Sequence, residues 1–198
     1  MQNRVLIDDM PWAEGGDPCM KKSAVILAAV LSLFFSSCAL GDSVNLLEAK
    51  QKTFKDSSGS FSVDATTKWS EDISLHEESQ LSLANVDESA YFIALLDHKS
   101  GFSSEMTLKL YAELAGEATA EGLQDALTDG MGSITVNGLF GYGFSVTGTI
   151  EGVRITYMFV ILEDDENFIQ LVIWSSERMM SEKRLEYMKI LSSFERIE

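Results

Sequence analysis

Two rhythms of hydrophobic and polar positions run along this chain. Residues 61–64, Phe-Ser-Val-Asp, alternate as a half-buried strand does. Ile73 and Leu75, then Leu81 and Leu83, repeat that alternation. Three later runs are apolar on both faces: 90–96, 157–162 and, apart from Gln170, 168–174. They are rich in β-branched and aromatic residues and predict central strands covered on both sides. Two other segments repeat at helical spacing. Over residues 105–129, Met106, Leu110, Leu114, Ala118, Leu123 and Leu127 fall roughly along one side. Ser104 can cap the start and Gly130 the end, while Gly116 and Gly122 weaken the middle. Over residues 176–191, Met180, Tyr187, Met188 and Leu191 share a face.

Turn chemistry joins these pieces. Asn137-Gly138, Glu151-Gly152 and the acidic stretch 163–167 each separate two strand-like runs, and successive hairpins make an antiparallel sheet. A sheet buried on both faces needs a layer on each side. The expected fold class is therefore α+β: a three-layer α/β/α sandwich, its mainly antiparallel central sheet flanked by a long mid-chain helix and a C-terminal helix. Residues 59–198 form its single domain.

The N-terminal part has another logic. Lys21 and Lys22 precede an apolar stretch from Ala24 to Phe35, followed by Ser36, Ser37 and Cys38. That stretch is shorter than the roughly 20 residues of a spanning helix and fits the core of a secretory signal. The order resembles a bacterial lipoprotein signal peptide, with residues 20–37 as the signal and 35–38 as the lipobox. The resemblance implies cleavage before Cys38, lipid on its thiol and amine, and a membrane as partner through that lipid. Two or more acyl chains hold stably where one is marginal. Residues 38–58 then form a lipidated tether with a possible short helix at LLEAK, and the domain lies outside the cytoplasm in the bacterial cell envelope. Residues 1–19 carry four acids and one arginine, unlike a signal. They are expected to precede the true start at Met20.

Composition narrows the function. Acidic residues outnumber basic ones 31 to 15, a net charge of −16. That surface repels phosphate backbones, so no nucleic-acid partner is expected. With Cys19 upstream of the signal, the mature part keeps only the lipid-bearing thiol, and no disulfide or thiol metal site can form. His76 and His98 stand apart, each beside acids, and read as exposed loop residues. Residues 163–167 lack the oxygen spacing of a calcium loop. No nucleophile–base pair is legible, so no catalytic residue, metal or cofactor is expected. Residues 139–147 set Phe140, Tyr142, Phe144 and Val146 on one face and Gly141, Gly143 and Ser145 on the other. Small residues let another backbone approach. They pack under a helix of the same domain or, alternatively, open a groove for a ligand or partner segment.

Residues 61–69, FSVDATTKW, together with the element order and the closing Ser192-Ser193-Phe194, resemble the PsbP, Mog and DcrB superfamily. The resemblance implies a non-catalytic fold whose members include photosystem assembly subunits, a Ran-binding protein and an envelope lipoprotein. The expected role is a binding or accessory module for another envelope component. The alternatives are a carrier of a small apolar ligand, held between sheet and long helix, and an enzyme of unknown type.

Overall fold

The structure, a computed structural model, describes residues 50–197. The expected signal, Cys38 and most of LLEAK lie outside them. In chain order the elements are β1 (Gln51–Lys55), β2 (Phe61–Thr66), β3 (Ser70–Glu71), β4 (Leu81–Asn85), β5 (Ala90–His98), α1 (Leu108–Glu121), β6 (Gln124–Val136), β7 (Leu139–Ile150), β8 (Val153–Glu163), β9 (Asn167–Ser176), α2 (Glu177–Ser192) and β10 (Glu195–Arg196).

The doubly apolar runs become β5, β9 and β8, adjacent strands inside an antiparallel sheet of order β3-β4-β5-β9-β8-β7-β6. The hairpin signals act locally. Asn137 and Gly138 take φ values of 46° and 87°, and Glu151 and Gly152 take 50° and 80°. These paired left-handed residues match the twist of the flanking strands. The sheet carries helices on both faces, as the α+β sandwich requires. On one face, Leu108, Tyr111 and Ala112 of α1 pack against Phe144, Phe159 and Phe168. On the other, Met180, Tyr187, Met188 and Leu191 of α2 cover the sheet with help from β2.

That second layer holds a second sheet, which the pattern did not announce. β2 leaves the main sheet and pairs with β1 and β10 as a small sheet of its own. Gln51–Lys55, within the stretch expected as tether, is thus part of the fold. The residues that carry the family resemblance meet here. Phe61 packs on Phe194 with ring centroids 5.2 Å apart, and Trp69 meets Tyr187 edge-on at 6.1 Å.

The middle of the chain departs furthest from its periodicity. Helix α1 starts at Leu108, capped by Thr107, whose hydroxyl accepts from the Leu110 N–H at 3.2 Å. It ends at Gly122, and residues 124–129 are strand. Helix-favouring Ala126 and Leu127 yield to a long ladder against β7, where tertiary pairing overrides weak propensity. The helix phase also differs. Leu108, Tyr111, Ala112 and Gly116 are buried, while Leu110 and Leu114 are 40% and 45% exposed. Tyr111 sets this phase by stacking on Phe168 at 4.7 Å and donating its hydroxyl hydrogen to Asp97. The alternation at Ile73 and Leu75 forms no strand. Ile73 lies in solvent and Leu75 packs from a loop onto the α1-side core.

Candidate functional site

β7 has two unlike faces because its side chains alternate. Phe144 and Val146 enter the layer under α1, where Phe144 stacks on Phe159 at 4.7 Å and meets Gly116. Gly141, Gly143, Ser145 and Thr147 face the α2 side. Gly141 sits against β8, where a side chain would strike the Ile161 carbonyl and lie 2.6 Å from Leu162. Gly143 is buried between its register partners Gly132 and Val160. Helix α2 rests chiefly on β9, β2 and β8, so it does not run along this face of β7.

Beside α2 the sheet is therefore open. A groove of about 560 Å³ lies between its first turns and the ends of β6, β7 and β8. Its floor follows the strand register. Thr156 pairs with Thr147, which pairs with Leu127, and Ser145 pairs with Asp129. The hydroxyls of Thr147 and Thr156 lie 2.9 Å apart. Arg154 from β8 and Glu177, Met180, Ser181 and Arg184 from α2 form the walls. Arg154 Nε donates to Glu177 Oε2 at 3.0 Å. Arg184 stands on the sheet-facing side of α2, one turn after Met180. Burial draws its guanidinium below the ordinary value, and the charge of Asp129 opposes that change. The groove thus offers two guanidiniums, two carboxylates and four hydroxyls on a rigid support. Such a set can hold a polar segment through charge-assisted hydrogen bonds without a net charge of its own.

Of the three residues singled out in the sequence, only Ser145 lines this groove; Gly141 and Gly143 lie further along the same face. Arg154, Thr156 and Arg184 escaped sequence reasoning. One signal was available for Arg184: it occupies the apolar phase of α2, between Met180 and Tyr187, where a cation is out of place. Neither histidine enters the groove. His76 Nδ1 accepts from the Glu78 N–H at 3.3 Å, and His98 Nδ1 from the Ser100 N–H at 3.2 Å. The acidic 163–167 turn is internally bonded. Asp164 Oδ1 accepts from the N–H groups of Glu166 and Asn167 at 2.9 and 2.6 Å. Burial pushes the Asp164 carboxyl up, but these donors and Arg196 outweigh it and hold it below its ordinary value. Among the described residues no group of His, Cys, Asp or Glu is arranged to hold a metal ion, and no helix is long and apolar enough to cross a membrane.

No family model and no curated protein matches this sequence. Solved structures do. Cyanobacterial PsbP (CyanoP) from Synechocystis is similar over 80% of this chain and 99% of its own, at 12% identity and a TM-score of 0.56. The Ran-binding protein Mog1p of Saccharomyces cerevisiae is similar over 76% of this chain and 97% of its own, at 8% identity and a TM-score of 0.56. LpqN, involved in cell envelope biogenesis of Mycobacterium tuberculosis, is similar over 73% of this chain and 89% of its own, at 10% identity and a TM-score of 0.51. At such identities the likeness is one of fold, and residues 50–197 have the PsbP- and Mog1-like fold.

Proposed function

We propose that this chain is a non-catalytic binding or accessory domain of the bacterial envelope. Lipid on Cys38 moors it, and the groove beside α2 receives a polar segment of another envelope component. The groove carries this reading: its paired charges and hydroxyls suit recognition, and neither histidine stands near a hydroxyl there as a base. The fold occurs in the Ran-binding protein Mog1p and in LpqN, which is involved in cell envelope biogenesis of Mycobacterium tuberculosis. Fold alone does not transmit a function. The carrier alternative finds less support, because stacked Phe144–Phe159 and Tyr111–Phe168 rings occupy the space between sheet and α1.

A photo-crosslinking residue at Thr147 of the lipidated protein, in its own membranes, tests the groove. It should capture one envelope component, and Arg154→Ala with Arg184→Ala should weaken that capture. Equal capture from Glu117, on the outer face of α1, would remove the groove from the account. The anchor is tested separately: globomycin should block processing, and Cys38→Ser should move the protein out of the membrane fraction.

A further inference from the structure

We infer that β6 is a docking edge, where an extended basic segment of a partner protein adds as an eighth strand of the main sheet. The inference deepens the groove reading and rests on it, since Leu127 and Asp129 of β6 line the groove mouth.

β6 pairs with β7 on one side, and no described strand lies on the other. The two-residue turn at Asn137-Gly138 makes Val136 and Leu139 a hydrogen-bonded pair. Antiparallel bonding alternates along a strand. Val136, Ile134 and Gly132 therefore aim their N–H and C=O groups at β7, while Ser133 and Thr135 aim theirs outward. Both are exposed. Proteins usually blunt such edges with charges, bulges, proline or brevity. The opposite edge, β3, has only two residues. In β6 the register shifts and both aspartates fall in the first half, leaving Gly132–Val136 regular, uncharged and free of proline.

Charge selects the occupant. A second copy would bring another chain of net charge −16 and set like charges across the new ladder. Residues 39–49 of this chain contain Asp42 and Glu48 but no Lys or Arg, so they fit no better. Arg184 faces the charge of Asp129, while exposed Asp125 in the first half of β6, and exposed Glu121 at the end of α1 just before it, leave that end of the edge acidic. A partner strand with Lys or Arg there and an apolar side chain beside Leu127, which is 64% exposed, complements it. Main-chain bonds supply affinity and the groove supplies side-chain selectivity, as in other strand-addition complexes.

The test uses the lipidated full chain in detergent and three synthetic peptides of about eight residues, typical strand length. One alternates valine and lysine, one valine and glutamate, and one is the lysine peptide with a central proline. The lysine peptide should slow hydrogen exchange at the Ser133 and Thr135 amides roughly tenfold or more. The other two should not. Asp125→Asn with Glu121→Gln should weaken binding severalfold; asparagine tolerates the positive φ of Asp125, so the fold survives. Thr135→Pro should abolish binding by removing an outward N–H. Equal protection by the glutamate peptide would overturn the inference. So would protection without peptide that rises with protein concentration, or crosslinks from Thr135 to residues 39–49. If no peptide protects the edge while Thr147 still captures its component, the edge alone fails; if both are lost, the binding-module reading falls too.

Discussion

The two sides of β7 solve opposite problems with alternating residues of one strand. On the α1 side Phe144 is fully buried, stacked on Phe159 and pressed by Gly116. On the α2 side Ser145 and Thr147 lie in an open groove because one helix does not span the sheet. The first face is closed by packing, and its residues are expected to govern stability. The second is held open by register, and its residues are expected to govern recognition. A helix on each face of a sheet does not make the two faces of one strand equivalent.

Substitutions can break that contrast. Phe144→Ala should have the largest effect, destabilising the fold by about 3–5 kcal/mol in urea unfolding, as large-to-small core changes do. A loss below about 1 kcal/mol would mean that the α1 layer is not the rigid half. Gly141→Ala comes next, at about 1–3 kcal/mol, because its Cβ meets the backbone of Ile161 and cannot be relieved by a rotamer change. Arg184→Met and Thr156→Val should each shift stability by only about 1 kcal/mol or less, in either direction, since an apolar residue removes the desolvation of a half-buried polar group along with its bonds. Both should nonetheless reduce capture at Thr147. Arg154→Ala should be smallest in stability, about 0.5 kcal/mol or less, because its ion pair with Glu177 is exposed.

Acid sharpens the comparison from another direction. Burial raises the Asp56 carboxyl, but bonds from the Ser58 hydroxyl, the Phe61 N–H and the Ser58 N–H prevail and hold it below its ordinary value. Asp164 is depressed in the same way. A carboxyl with a lower pKa in the folded state stabilises the fold above its unfolded value, near 4, and this is lost as pH falls through the folded value. Asp56→Asn and Asp164→Asn should therefore lose stability relative to the parent at neutral pH, with the gap narrowing below about pH 4. A pH-independent gap would assign their effect to shape and not to charge.

Much of the sheet could be read from residues alone. Runs 90–96, 157–162 and 168–174 are apolar on both faces and became its centre. Two dipeptides with left-handed backbone became its turns. Residues 124–129 could not be read correctly, because Gln-Asp-Ala-Leu-Thr-Asp has no strong preference until β7 lies beside it. The groove was half hidden for a related reason. Ser145 stands on a strand whose alternation is visible, but its neighbours come from other strands and a later helix. Arg184 stands out in the sequence only as a cation in an apolar helix phase; that it faces Asp129 of β6 depends on how α2 packs.

By itself the sequence determined the periods, the turns and the large negative charge, since each depends on residue type and spacing over a few positions. It also carried the signal-like order of residues 20–38. Only the tertiary structure decided which helix face is buried, that β2 joins a second sheet, and which side chains share the groove. Those outcomes depend on register between segments far apart in the chain, where one strand's partner is set by the packing of all the others.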